Sequence, residues 1–249
     1  MNPADLALLA ALIFAAAVIY SSVGHAGASG YIAAMALFGL APAVMKPTAL
    51  TLNILVATLA SYRLHRAEMV PWRTLLPLLL GSLPMAFLGG AIQLPPQWYK
   101  ALVGTILIIA AAKLFFQPRV TSDGAQQGDI RVPWVPGVLA GAFVGFLSGL
   151  TGTGGGIFLS PLLLFFGWTN ARQASGITAP FILVNSISGL SGNLASLRSL
   201  PAELSYFIVA ALLGGVVGTQ FSIRWLSNLT LQRVLAVVLA IAGAKFLFV

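Results

Sequence analysis

The chain has 249 residues, 59% hydrophobic and 7% charged, with a mean hydropathy of +0.97. Soluble domains carry about 25% charged residues, so this composition excludes a water-soluble globule and makes lipid the solvent. Thirteen Lys and Arg against five Asp and Glu give a net charge of +8, but the basic residues are scattered over short connections, which reads as membrane topology and excludes a nucleic-acid partner.

Five hydrophobic runs come first, at about 5–22, 28–41, 48–62, 73–92 and 98–116. The start of the first can imitate a signal peptide, but it lacks a basic leading region, and its continuation into Ser22 to Gly30 reads better as part of a transport path. Five more runs follow at about 135–150, 156–168, 174–194, 202–223 and 230–248. Several reach the roughly 20 residues that cross a bilayer as helix. The second run of each set is shorter and follows a glycine cluster, as discontinuous helices of secondary transporters do. The expected fold is therefore all-α and integral to the membrane. Residues 1–117 form a first transmembrane repeat, 118–132 a polar linker, and 133–249 a second repeat.

The repeats are visible by eye. Residues 27–39, ending Ala36-Leu37-Phe38-Gly39, lie over 155–167, ending Leu164-Phe165-Phe166-Gly167, and Leu52-Asn53 lies over Val184-Asn185. Five crossings per half is an odd number, so the halves are expected to be inverted. If Arg63, Arg66 and Arg73 are cytoplasmic, Lys113, Arg119, Arg131, Arg172, Arg224 and Arg233 fall on the same side, which places both termini outside. Re-entrant short segments would instead give four crossings per half and parallel halves.

Four glycines occupy five positions at Gly152, Gly154, Gly155 and Gly156, around Thr153. Glycine-rich backbone opening a helix presents free N–H groups at the positive end of the helix dipole, a ready anion site. Tight packing at a kink is the alternative reading. Packing is preferred for the preceding helix, where Gly137, Gly141, Gly145 and Gly149 share one face. The matching stretch of the first half, Ser22 to Gly30, holds Gly24, His25, Gly27 and Ser29. His25 is the one histidine inside an apolar segment, and an ionisable residue there suggests anion binding or proton coupling. A neutral ring bonded to a backbone carbonyl is the plainer account.

Asn53, Ala57 and Ser61 recur at helical spacing, as do Asn185, Gly189 and Asn193. Buried amides need partners, so these faces suggest a cavity flanked by both halves, or else helix-to-helix hydrogen bonding. No acid lies deep in an apolar run, and no cysteine occurs; neither a metal centre nor a cofactor is expected. Gly27-Ala28-Ser29-Gly30 matches the serine motif of rhomboid-type intramembrane proteases, but no histidine follows His65 to act as base, so an enzyme is not expected.

From Gly141 through Gly156, with Pro161 and Asn185 beyond and Met69-Val70-Pro71-Trp72-Arg73 before, the sequence resembles the TauE/SafE family of sulfite and organosulfonate exporters over essentially its whole length. The first repeat departs from that pattern, with His25, Ala26, Ala28 and Ser29 where glycines are expected. The resemblance implies a multi-pass protein of the bacterial inner membrane that carries small sulfur-containing oxyanions. The expected substrate-binding residues are Gly24, His25, Gly27, Ser29, Asn53, Thr153, Gly154, Gly155, Gly156 and Asn185, with His25 also coupling protons. A passive anion channel or an importer of another small anion is the alternative. Small anion and lipid are the expected partners; a homodimer through glycine faces is compatible with the pattern and not required by it.

Overall fold

Asn2 begins the first helix, its side chain accepting from the Asp5 N–H at 2.7 Å while Pro3 occupies the first turn. A computed structural model describes residues 2–116, 132–169, 171–224 and 229–248. The first half holds α1 (Pro3–Ser22), α2 (Ala28–Leu37), α3 (Pro42–Arg66), α4 (Trp72–Ala91) and α5 (Pro96–Phe116). The second holds α6 (Trp134–Thr151), α7 (Gly156–Phe165), α8 (Ala171–Ser191), α9 (Leu204–Arg224) and α10 (Leu229–Phe248). A 3-10 helix at Leu194–Ser199 precedes α9. The linker expected at 118–132 falls almost wholly outside the described residues. The side chains of Lys113, Arg119, Arg131, Arg172, Arg224 and Arg233, on which the orientation rested, lie outside them too.

The apolar runs mark the helices well, with one extension that has a physical cause. α3 begins at Pro42, not near residue 48, because Pro42 stands in its first turn and the Lys46 charge is absorbed. Lys46 Nζ donates to the carbonyls of Gly90 at 3.1 Å and Ile92 at 3.2 Å, closing the C-terminal end of α4.

Five described helices are long and apolar enough to cross a bilayer: α1, α3, α4, α6 and, from Gln173, α8. With 10 residues each, α2 and α7 rise only about 15 Å, roughly half the hydrocarbon thickness. Large apolar side chains face outward, among them Leu80, Phe87, Leu139, Phe143 and Leu213, while Asn53, Thr178 and Asn185 are fully buried. That inversion suits lipid and not water.

The halves interlock through glycine. A Cβ at Gly141, Gly145 or Gly149 of α6 would collide in turn with the carbonyl oxygens of Leu78, Ser82 and Ala86 on α4. The stripe read as a packing face is one, and its partner is within the chain. The same contact recurs between α9 and α1, where Gly214 and Gly218 meet the carbonyls of Phe14 and Val18. Each half's first helix thus packs on the other half's fourth, while α3 lies on α8 and α5 on α10.

Candidate functional site

Two interruptions face each other inside this bundle. α1 ends at Ser22 and α2 begins at Ala28; α6 ends at Thr151 and α7 begins at Gly156. Glycines in the left-handed region make both breaks, at φ 78° for Gly24 and 79° for Gly152, then 111° for Gly27 and 83° for Gly155. L side chains rarely adopt these angles. Gly152 caps α6 by donating its N–H to Ser148 O at 2.9 Å.

The first N–H groups of a helix have no partner within it. In α7 the Leu159 and Phe158 N–H groups reach back to Gly155 O, whereas those of Gly154, Gly155, Gly156 and Ile157 find no acceptor among the described residues. In α2 the same holds for Ala28, Ser29 and Gly30, the Tyr31 N–H being the first to bond back, to Gly27 O. Gly154 to Gly156 and Ala28 to Gly30 are buried. Buried unpaired donors are rare in folded chains, so two sets in matching places form a concentration of unmet positive dipole.

Side chains of the first half reach the second break, and Ser175 of α8 donates to Val23 O in the first. His25 Nε2 lies 3.0 Å from Gly156 O and 3.1 Å from Ser160 Oγ, both of α7. Its Nδ1 lies 3.1 Å from Val23 O. Asn53 of α3 directs Nδ2 toward Thr153 O and Ser186 Oγ, each at 3.4 Å, and its Oδ1 has no partner. Gly154 is glycine for a steric reason as well, since a Cβ there would collide with Asn53 Nδ2; at Gly156 it would come within 2.8 Å of His25 Cδ2. Close packing therefore accounts for part of the glycine content of this loop.

The structure thus brings His25, Asn53, Thr153, Gly154, Gly155 and Gly156 together. Thr153 turns its hydroxyl to Thr151 at 2.9 Å and offers its carbonyl to Asn53. Gly24 and Gly27 serve the first break as hinges, and Gly24 lies tight against Ser175 of α8. Two expected residues point elsewhere. Ser29 donates to Tyr20 OH at 2.8 Å. Asn185 donates to Ser82 Oγ at 3.1 Å and Phe181 O at 2.8 Å, so its amide nitrogen faces α4, while its Oδ1 is buried without a partner. Ser160, Thr178 and Ser186 line the same region and had not been singled out. Ser160 had one available signal: it stands where the first repeat has Ile32, a hydroxyl replacing an apolar residue.

A small anion with several acceptor oxygens suits the unpaired N–H groups that open α7, beside His25 and Asn53. A family model described as "Sulfite exporter TauE/SafE" matches residues 9–246. The chain is similar to "Probable membrane transporter protein y4hK" of Sinorhizobium fredii, 38% identical over 244 residues that cover 96% of this chain and 97% of that protein. It is also similar to "Probable membrane transporter protein YjnA" of Bacillus subtilis, 23% identical over 254 residues, covering 96% and 98%. No solved structure matches significantly.

Proposed function

This chain belongs to the TauE/SafE family of membrane transporters, and on that premise we propose that it is a secondary active exporter of small sulfur-containing oxyanions such as sulfite or organosulfonates. Its place as a multi-pass protein of a bacterial membrane follows from the family and the apolar helices. The observation that carries the substrate reading is the buried, unpartnered N–H set at Gly154, Gly155 and Gly156, flanked by His25 and Asn53. Backbone donors hold the oxyanion, Asn53 orients it, and His25 supplies charge or a proton. The two halves are taken as inverted repeats, consistent with their exchanged packing, and alternating access comes from rocking of one helix group against another.

Thermal unfolding of the detergent-purified protein tests this against sulfite, sulfate, sulfoacetate, taurine, nitrate and chloride. A ligand at a hundred times its Kd stabilises by about 2.7 kcal/mol. Stabilisation by a sulfur oxyanion alone, reduced in Asn53→Ala, is the expected result. No selective shift in folded protein would remove the sulfur-oxyanion reading. Sulfite counterflow in vesicles then separates a carrier from a passive channel, which shows none.

A further inference from the structure

The Thr178 hydroxyl lies 2.7 Å from Ala174 O, one turn back on α8. A carbonyl only accepts, so Thr178 uses its single proton there and can only accept from Ser160, 2.9 Å away. Ser160 therefore donates to Thr178 and must accept from His25 Nε2. Gly156 O, facing the same nitrogen, demands a donor as well. Nε2 thus carries a hydrogen in either charge state of the ring. On the opposite edge Nδ1 faces Val23 O, which also receives the Ser175 hydroxyl at 3.0 Å. The ring meets carbonyls on both sides, and both contacts are hydrogen bonds only when both nitrogens are protonated.

We propose that Ser160 and Thr178 are positioning residues that lock His25 Nε2–H onto the second half of the molecule, leaving Nδ1 as the nitrogen that binds and releases a coupled proton. This rests on the anion-transport reading for its purpose, though not for its geometry. With Nδ1 protonated, the ring ties Val23 of the first break to Gly156 of α7 and sets a positive charge beside the unpaired N–H groups. When that proton leaves, a lone pair faces Val23 O and the tie becomes repulsive on one edge. Anion charge and proton are thereby exchanged through one contact between the halves. The titratable or charged residues on the elements around it are Tyr20 of α1, Tyr31 of α2 and Arg172 at the head of α8, with α7 having none and Asp5 at the far end of α1; on α3, Lys46 is held at the end of α4 and Tyr62, Arg63, His65 and Arg66 lie in the last two turns. Tyr20 is the ring neighbour, 6.2 Å between centroids.

The chain has two histidines, so nitrogen-15 histidine labelling of the full-length protein in micelles, with His65→Gln, isolates the His25 ring. Across a pH titration Nε2 is expected to keep its proton while Nδ1 loses one. Ser160→Ala and Thr178→Val should each move that titration toward acid, by about one pH unit for a lost charge-assisted hydrogen bond, and Ser160→Thr should restore it. A neutral ring protonated on Nδ1, or a titration that Ser160→Ala leaves unmoved, overturns the lock. Sulfite counterflow measured in parallel separates the two ideas. A titration that shifts as expected in protein that carries no sulfite overturns the substrate reading and supports the lock. Counterflow with the same pH profile in wild type and Ser160→Ala overturns the lock alone.

Discussion

The two chain breaks share left-handed glycines at their ends and differ between them, where Gly154 is left-handed at φ 75° and Ala26 is not. Gly24 and Gly152 adopt φ of 78° and 79°, Gly27 and Gly155 both lie in the left-handed region, and Gly39 and Gly167 close the short helices at 73° and 65°. Between the paired glycines the first break carries His25-Ala26 and the second Thr153-Gly154. The first therefore projects a ring across to Gly156 and Ser160, while the second stays bare enough for Asn53 to lie on its backbone. The end glycines match and the chemistry is divided: one arm carries a titratable side chain, the other bare N–H groups.

The bare arm should tolerate change least. Gly154→Ala combines a left-handed φ of 75° with a collision against Asn53 Nδ2. The backbone alone costs about 1–2 kcal/mol, so the variant should unfold at clearly lower temperature and lose stabilisation by sulfite; wild-type behaviour would show that the second break does not hold the anion. The two asparagines should then separate. Asn185→Ala removes a fully buried amide that bonds Ser82 and Phe181 O and should destabilise by about 1–3 kcal/mol. Asn53→Ala, whose contacts are both at 3.4 Å, should cost less stability but more of the sulfite shift. Equal losses in both assays would mean that the two residues act alike. His25→Thr makes the first break resemble the second; it should lower stability by about 1–2 kcal/mol for the lost hydrogen bonds and flatten the pH dependence of sulfite counterflow. A retained pH profile would move the titrating group elsewhere. Gly39→Ala is the control, with a left-handed φ but nothing within 4 Å of the added Cβ. About 1 kcal/mol of destabilisation with sulfite binding intact is expected, measured by the same unfolding scans.

The helices were legible because lipid requires long apolar runs and glycine interrupts them visibly. The start of α3 was not, since Lys46-Pro47 looks like a connection until the ammonium is seen to close α4. The glycine loop, His25 and Asn53 were legible as unusual residues in an apolar setting. Ser29 was expected to bind substrate, and that its hydroxyl turns to Tyr20 was not legible, because this depends on how α2 turns after Gly27. Ser160 and Thr178 escaped notice because a lone hydroxyl in an apolar helix commonly bonds its own backbone one turn back. Thr178 does so, and its link to Ser160 and His25 exists only in three dimensions. Asn185 looked equivalent to Asn53 by repeat position, yet neighbouring Ser82 and Phe181 claim its amide nitrogen.

The glycine contacts of α4 with α6 and of α1 with α9 also govern how the protein is made. Helices leave the ribosome in chain order, so α1 and α4 enter the bilayer before α6 and α9 exist to cover them. The first five helices must wait with their close-packing seams facing lipid or an insertion chaperone, and the native bundle closes only when α9 and α10 have arrived. A ribosome that stalls between α5 and α6 would therefore leave in the membrane a half whose two main seams are unmatched, a natural substrate for membrane quality control.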